Sequence, residues 1–301
     1  MADPLRIDAH LHLYPTKAAG LVEKQNYEIW EYGAKHDVAF EPLAGDIEDA
    51  QNAMVAAGFS HVVVANLFAI ALLDEETRSA GLTAQAEHLK ASNQWACDVT
   101  AGHGGFSVFV AVDPTVLGGE AGAAHLRDMV EQHGARGVKI HPAVQRFAPD
   151  EPQMLPIYQT CVDLGIPVLS HSGLMRDGSP YAEPNAFGNV LRGFPELNLV
   201  LAHLGGGAWR QTASFAKAFP QASFDLCEII AWIGAPGAPS SAELAQLIID
   251  VGPERVMMGT DFPWYGLAET VNQVMKLPLL SHDQKTAILG ANASRVLKVP
   301  A

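Results

Sequence analysis

Cysteine and basic side chains are both scarce in this sequence of 301 residues. Cys97, Cys161 and Cys227 are widely spaced and form no CxxC pair, so we expect reduced, buried thiols in a cytoplasmic protein. Lys and Arg number 19 against 33 Asp and Glu, which gives a net charge of −14. Nucleic acids and anionic membrane surfaces require basic patches, so we expect neither as a partner. The composition leaves a small-molecule substrate open.

Long apolar runs are also missing. The longest candidate, residues 62–73, is interrupted by Asn66 and is followed by acidic residues, so we expect no membrane span. The opening "MADPLRIDAH" has no basic stretch before an apolar one, which predicts no signal peptide. Hydrophobic residues nevertheless make up 49% of the chain, enough for a large globular core.

Short β-rich runs alternate with amphipathic stretches along the whole chain. Most of the runs are almost continuously apolar, as in strands buried on both faces of a parallel sheet. Eight such alternations predict a (β/α)8 TIM barrel, with residues 1–301 as a single domain. A doubly wound open sheet is the alternative, but no GxGxxG follows an early strand. The runs cover residues 5–12, 61–66, 106–113, 136–141, 166–171, 197–203, 222–227 and 255–261.

Residues 14–46 form an unusually long connection after the first strand. The segment contains Tyr27, Trp30 and Tyr32. In a barrel it would lie over the carboxyl ends of the strands, where it could cover a pocket. It could equally pack on a second copy of the chain, so a homo-oligomer is possible.

Polar side chains end several of the apolar runs. His10 and His12 stand two apart, which places both imidazoles on one face of a strand. Alone, this pair could be a coincidence among twelve histidines. In a barrel, however, the carboxyl ends of all strands meet at one rim, where active sites lie. The polar residues at these ends are His10, His12, Lys139, His141, His171, His203 and Asp261.

Histidine and aspartate ligands with one open position are typical of a catalytic divalent ion. Such an ion lowers the pKa of bound water from about 15.7 to about 7. The absence of cysteine from the set argues against a structural zinc site. Zinc is the ion that we expect, with manganese as the alternative.

Five motifs together resemble the amidohydrolase superfamily. They are "DAHLH", "PVLSHSG", "LVLAHLGGG", "VMMGTDFPW" and "ILGANASRVLKV". The resemblance runs from residue 6 to about residue 298. It is strongest to the amidohydrolase-related branch, which includes metal-dependent decarboxylases of the aminocarboxymuconate semialdehyde type.

The resemblance implies a role for each matching residue. His10, His12, His171 and Asp261 match metal ligands, and Asp261 also matches a proton-transfer group. His203 matches a histidine that binds a second ion in binuclear members and works as an acid or base in this branch.

Lys139 lies on the strand that, in binuclear members, carries the carboxylated lysine that bridges the two ions. His141 follows it on the same face, so we expect one ion and an unmodified Lys139 amine. Lys139 could instead extend to solvent.

Further side chains near the strand ends are candidates for substrate contact. We expect Lys139 and His141 to line the pocket, and Arg176 or Arg210 could hold a substrate carboxylate. The substrate-contact set is Lys139, His141, Arg176, Trp209 and Trp264.

The sequence favours a metal-dependent hydrolase that acts on a small amide, lactone or ester through a metal-activated water. Asp261 and His203 would move protons. A metal-dependent, non-oxidative decarboxylase of an aromatic or muconate-type acid is the alternative. A binding protein on a barrel without activity is a third class.

Overall fold

A computed structural model describes residues 5–26, 42–175 and 177–300. Eight parallel strands follow one another around a single sheet in chain order. The strands are β1 (Ile7–Leu11), β2 (His61–Ala65), β3 (Phe106–Ala111), β4 (Gly137–Ile140), β5 (Val168–Ser170), β6 (Leu199–Leu201), β7 (Ser223–Asp225) and β8 (Val256–Met257).

Hydrogen bonds between β1 and the residues that directly follow β8 close the sheet into a barrel. The N–H of Ala9 donates to the carbonyl of Met258 at 3.0 Å, and the N–H of Asp261 donates to the carbonyl of His10 at 2.8 Å. Leu11 and Phe262 add a parallel bridge. The predicted single-domain (β/α)8 barrel is therefore confirmed, and the doubly wound alternative is excluded because its strands would not pair in sequential order.

Helices surround the barrel. They are α1 (Lys17–Asn26), α2 (Ile47–Ala57), α3 (Glu75–Ser79), α4 (Leu82–Ala101), α5 (Pro114–Leu117), α6 (Gly119–His133), α7 (Pro142–Gln145), α8 (Leu155–Leu164), α9 (Gly188–Gly193), α10 (Thr212–Ala218), α11 (Ser241–Val251), α12 (Leu267–Lys276), α13 (His282–Thr286) and α14 (Asn292–Leu297). Short 3-10 segments cover Ile70–Leu72, Pro152–Met154, Pro184–Phe187, Ala202–Gln211 and Pro253–Arg255, and a π-helical turn covers Ala287–Ala291.

Alternate residues of each strand serve two separate cores. On β2, Val62 and Val64 belong to the layer between the barrel and the helices, whereas Val63 belongs to the barrel interior. Both faces are buried, which explains the nearly continuous apolar runs. Val296 and Leu297 of α14 join the interior cluster and cover one end of the barrel.

A β-bulge changes the direction of the side chains near the end of β1. The register against β2 shifts between Asp8 and Leu11, and such a shift re-aims the residues that follow it. Ala9 packs in the barrel interior, yet the neighbouring His10 ring also reaches inward, to Lys139 of β4. The bulge thus helps to bring His10 into the site.

The connection after β1 contains α1, while residues 27–41, with Tyr27, Trp30 and Tyr32, lie outside the described residues. No helix in the described ranges combines the length and apolar character needed to cross a membrane.

Candidate metal centre

His10, His12 and Asp261 converge at the carboxyl ends of the strands. His12 Nε2 lies 3.0 Å from Asp261 Oδ1, and His10 Nε2 lies 3.5 Å from the same oxygen. All three residues are buried, and each offers a ligand atom within 4.8 Å of the other two. Two imidazoles and a carboxylate at this spacing could hold a divalent ion.

Asp225, the last residue of β7, orients the His10 ring. Asp225 Oδ2 lies 3.0 Å from His10 Nδ1. Its other oxygen, Oδ1, accepts from the backbone N–H groups of His203 at 2.8 Å and Cys227 at 3.1 Å. Because an ionised carboxylate only accepts, His10 Nδ1 carries the proton, and Nε2 keeps a lone pair toward the cavity.

Lys139 lies on the opposite side of the His10 ring. Its Nζ is 2.9 Å from His10 Nε2, and the residue is only 1% exposed, so it does not extend to solvent. Burial lowers the pKa of Lys139, although the charges of Asp261 and Asp225 oppose that shift. The amine therefore points into the site from β4.

Burial and neighbouring charges keep His10 and Asp261 in metal-binding protonation states. Burial, together with the Lys139 charge, lowers the pKa of His10 to about 3. Burial alone would raise the pKa of Asp261, but His10, His12 and His203 hold it well below its usual value. A neutral imidazole and an ionised carboxylate are the forms that coordinate metal ions.

Three histidines form a second chain beside this group. The His141 and His171 rings stack with centroids 3.7 Å apart, and His171 Nδ1 lies 3.1 Å from His203 Nε2. His203 Nδ1 faces the carbonyl of Cys227 at 3.2 Å. A carbonyl only accepts, so His203 Nδ1 is protonated. In the neutral ring its Nε2 then accepts from His171 Nδ1, which leaves the lone pair of His171 on Nε2.

Asp261 also belongs to a set with His203 and Glu228, whose ligand atoms lie within 4.8 Å of one another. Among the described residues, His171 joins neither of the two Asp261 sets. Three of the four predicted ligands thus converge, whereas His171 approaches the site through its contact with His203.

Both predicted proton-transfer residues have a left-handed backbone conformation. His203 has φ 62° and Asp261 has φ 60°, a conformation that non-glycine residues rarely adopt and that clusters at functional sites. The following Leu204 is also left-handed, and its carbonyl accepts from Thr212 Oγ1 at 2.7 Å. This hydrogen bond helps to fix the turn that carries His203.

A cavity of about 1240 Å³ opens above the converging side chains. Lys139, His141 and Trp264 line it as expected, and the Trp264 ring contacts His12 edge-on at 5.5 Å. Trp209 does not line this cavity, which corrects its predicted substrate contact. Its Nε1 donates to the Gly237 carbonyl at 2.9 Å.

Arg210 is also used elsewhere, since its guanidinium lies 4.3 Å from the centre of the Trp209 ring. Arg176 lies outside the described residues.

Nearly the whole chain matches the model of one protein family. A family model described as Amidohydrolase (Amidohydro_2) matches residues 7–299. The chain belongs to the amidohydrolase family. The match spans all eight strands and every predicted ligand of this amidohydrolase.

Relatives of this amidohydrolase are named as decarboxylases. The 2-amino-3-carboxymuconate-6-semialdehyde decarboxylase of Dictyostelium discoideum is 27% identical over 208 residues, which cover 59% of this chain but only 57% of the relative. The 2,6-dihydroxybenzoate decarboxylase from Rhizobium has a TM-score of 0.72 at 16% identity, covering 98% and 99% of the two chains.

A third relative was solved with a metal. The dihydroxybenzoic acid decarboxylase from Polaromonas sp. JS666, with bound manganese and the inhibitor 2-nitroresorcinol, has a TM-score of 0.67 at 16% identity, covering 99% and 97%. At this identity the two structural likenesses establish the fold of the amidohydrolase.

Our prediction of a hydrolase is wrong. The three relatives described above are named as decarboxylases, which supports the alternative. The physical reason is that the same histidine and aspartate ligands serve both reactions. The residues at the strand ends therefore predict a metal site without choosing the bond that is broken.

Sequence reasoning missed two carboxylates of this amidohydrolase. Asp225 lies near the end of the seventh run, residues 222–227, much as the predicted residues lie near the ends of theirs, and this position could have revealed it. Glu228 follows three residues later, is buried and lines the cavity. Nothing in the sequence distinguished Glu228 from an ordinary loop residue.

Proposed function

We propose that this chain is a metal-dependent, non-oxidative decarboxylase of a small aromatic or muconate-type acid. The observation that carries the proposal is the convergence of His10, His12 and Asp261 beneath a large cavity in a member of this family. The names of the relatives favour carbon dioxide release as the reaction.

The donor set suits one divalent ion. We propose His10, His12 and Asp261 as ligands, with His171 as the fourth through Nε2. When bound, the ion would polarise substrate oxygens and stabilise negative charge on them. Zinc and manganese both accept such ligands. Zinc was our expectation from the sequence, and the manganese in the Polaromonas relative makes manganese an equal candidate.

We further propose that Lys139 remains an unmodified amine. Its short contact with the lone pair of His10 Nε2 supports an ammonium that donates a hydrogen bond there. With His10 engaged as a ligand, the Lys139 amine is left to pair with a substrate carboxylate. His141 and Trp264 complete the wall around the substrate.

Decarboxylation needs one proton. The bond between the carboxylate carbon and the substrate carbon breaks, carbon dioxide leaves, and the electron pair stays on the substrate carbon, which then takes a proton. We propose that His203 and Asp261 deliver it. Because Asp261 is ionised, a proton from solvent reaches one of these groups before the transfer.

The test is carbon dioxide release from a panel of hydroxybenzoates and muconate-type acids. The purified protein is stripped with a chelator and reloaded with zinc or manganese, and its metal content is measured. We expect release from at least one acid, loss of activity on stripping, and recovery with about one ion per chain. No release from any acid by metal-loaded protein would contradict the function, and two ions per chain would contradict the single-ion site.

A cytoplasmic location and assembly into a homo-oligomer stay predictions. The three cysteines are free and buried, which is compatible with a reducing compartment.

A further inference from the structure

The cavity is chemically divided. Its floor at the strand ends carries the histidines, Lys139, Glu228 and Asp261. One side of it, built by the elements between β1 and β3, is mainly apolar. We call this side the annex, and define it by Val22, Phe68, Ala69, Leu72, Ala91 and Trp95.

Asn66, a polar residue beside the annex, already has hydrogen-bond partners. Asn66 Nδ2 donates to Ser92 Oγ at 3.2 Å and to Asn93 Oδ1 at 2.9 Å. The His88 ring packs against Phe68 at 6.3 Å. Glu23 also lines the cavity on α1, but the six annex side chains are apolar apart from the Trp95 indole N–H, so the annex is suited to apolar rather than ionic groups.

The size of the cavity exceeds the needs of a single ring. Its volume of about 1240 Å³ lies above the roughly 300–1,000 Å³ of most small-molecule sites. An aromatic acid with its carboxylate on the floor would fill only part of that space. The annex would then hold water against apolar walls, which is unfavourable.

Two annex side chains are unusually exposed. Val22 on α1 is 52% exposed and Leu72 is 43% exposed, although both line the cavity. Exposed apolar side chains grouped around a concave surface are typical of a binding site for an apolar group.

We propose that the annex binds an apolar substituent of the substrate, so that the preferred acid carries an alkyl or second aromatic group in addition to its reacting ring or diene. This inference rests on the proposed function, because it takes the carboxylate to lie on the floor. The annex selects among acids by size and hydrophobicity, while the floor provides the chemistry.

The first experiment measures affinity along a homologous series. The probes are 2-hydroxybenzoate and its 4-alkyl and 5-alkyl derivatives, from methyl to butyl, titrated by calorimetry into the metal-loaded protein. In at least one of the two series we expect the affinity to rise on the order of threefold for each added carbon. Affinity that stays flat or falls with chain length in both series would overturn the proposal.

The second experiment uses matched variants. Ala91 lines the annex from α4, whereas Ala101 is exposed on the same helix and does not line the cavity. We expect Ala91→Phe to abolish the rise of affinity with chain length, so that the affinity for the butyl derivative falls by about tenfold or more. Ala101→Phe should preserve the rise. A rise that survives Ala91→Phe would place the alkyl group elsewhere and overturn the proposal.

A second pair keeps the test decisive if Ala91→Phe does not fold. Leu72→Ser removes an exposed annex side chain, and Leu82→Ser removes one that is 57% exposed away from the cavity. We expect Leu72→Ser to lower the affinity for the butyl derivative by about threefold to tenfold and Leu82→Ser to leave it unchanged. Equal effects from both substitutions would overturn the proposal.

Carbon dioxide measurements on the same acids separate the two proposals. If alkyl acids bind more tightly but none releases carbon dioxide, the annex stands and the proposed function fails. If the parent acid reacts while chain length has no effect, the function stands and the annex proposal fails.

Discussion

Asp225 determines which nitrogen of His10 carries the proton. Its Oδ1 accepts from two backbone N–H groups, so in Asp225→Asn the amide oxygen must take this place and the NH2 must turn toward His10 Nδ1. His10 would then carry its proton on Nε2 and lose the lone pair for the ion. We expect metal affinity to fall about 10- to 100-fold, measured by competition with a chelator.

The matched control is Asp250→Asn, at an exposed aspartate on α11. It should leave metal affinity unchanged. Full metal affinity in Asp225→Asn would show that the His10 tautomer does not depend on this carboxylate.

His10 and His203 should differ in what their loss does. His10→Ala removes a proposed ligand, so metal content and turnover should fall together. His203→Asn keeps a polar group of similar reach and should retain the ion while the rate falls on the order of a hundredfold or more. Metal analysis and carbon dioxide release measure both effects. Loss of the ion from His203→Asn would make His203 a ligand, and retention of both ion and rate would leave it a purely structural role.

At the residue scale the sequence predicts which residues belong to the site better than it predicts their hydrogen-bond partners. His10, His12 and Asp261 were predicted from their places at strand ends, because strand polarity sends all such residues to one rim. The hydrogen bond between His10 and Asp225, however, joins residues more than 200 positions apart along the chain, and no local pattern contains such a contact. The same limit explains Trp209, whose indole packs away from the cavity.

At the element scale the eight predicted runs all contain strands, but the strands are shorter. The last run, residues 255–261, contains only Val256–Met257 as a strand. Asp261 lies beyond it in a turn held by the carbonyl of His10. Apolar runs therefore locate strands well, whereas the turns after them depend on hydrogen bonds to neighbouring strands.

The turn after β6 should be sensitive to a methyl group. Gly205 has φ 91°, and an added Cβ would lie 3.0 Å from Pro184 Cγ and closer still to Thr212 Oγ1. We expect Gly205→Ala to lower the free energy of unfolding by about 2 kcal/mol or more, from the left-handed backbone and the crowding. The rate should fall too, because His203 lies two residues away. Urea unfolding and carbon dioxide release measure these effects.

Gly134 provides the control for this turn. It has φ 74°, and nothing lies within 4 Å of an added Cβ. Gly134→Ala should therefore cost only the roughly 1–2 kcal/mol of the left-handed backbone and leave the rate unchanged. Equal destabilisation by the two substitutions would show that the contacts with Thr212 and Pro184 relax freely.

At the scale of the whole molecule, the barrel combines apolar cores with a cluster of buried ionisable groups. Its interior and outer layers are apolar, yet its rim buries several ionisable groups close together. Buried histidines that are held neutral make stability depend on pH, because the unfolded chain binds protons that the folded chain does not. Burial is the main cause of the lowered pKa values of His61, His125 and His141, which therefore contribute to this dependence.

His10 provides the clearest test of this coupling. Its folded pKa is about 3 against an ordinary 6.5. Above pH 6.5 neither state binds the proton, so the stability is fully present. As the pH falls from 6.5 toward 3, only the unfolded chain binds it, and the free energy of unfolding drops by about 1.4 kcal/mol per pH unit. From pH 6.5 to 5 this amounts to about 2 kcal/mol.

We therefore expect chelator-treated protein to lose stability between pH 7 and pH 5 in urea unfolding, and His10→Gln to lose it less steeply, by about one proton in the slope. The slope is the decisive quantity, because the substitution also changes stability at every pH by removing the contact with Asp225. His282→Gln, on the short helix α13 outside the cavity, should keep the full slope. An unchanged slope in His10→Gln would mean that His10 takes up its proton in the folded protein as readily as in the unfolded chain. The folded protein would then not hold the His10 ring neutral, and a metal ion would have to displace the proton from the ring when it binds.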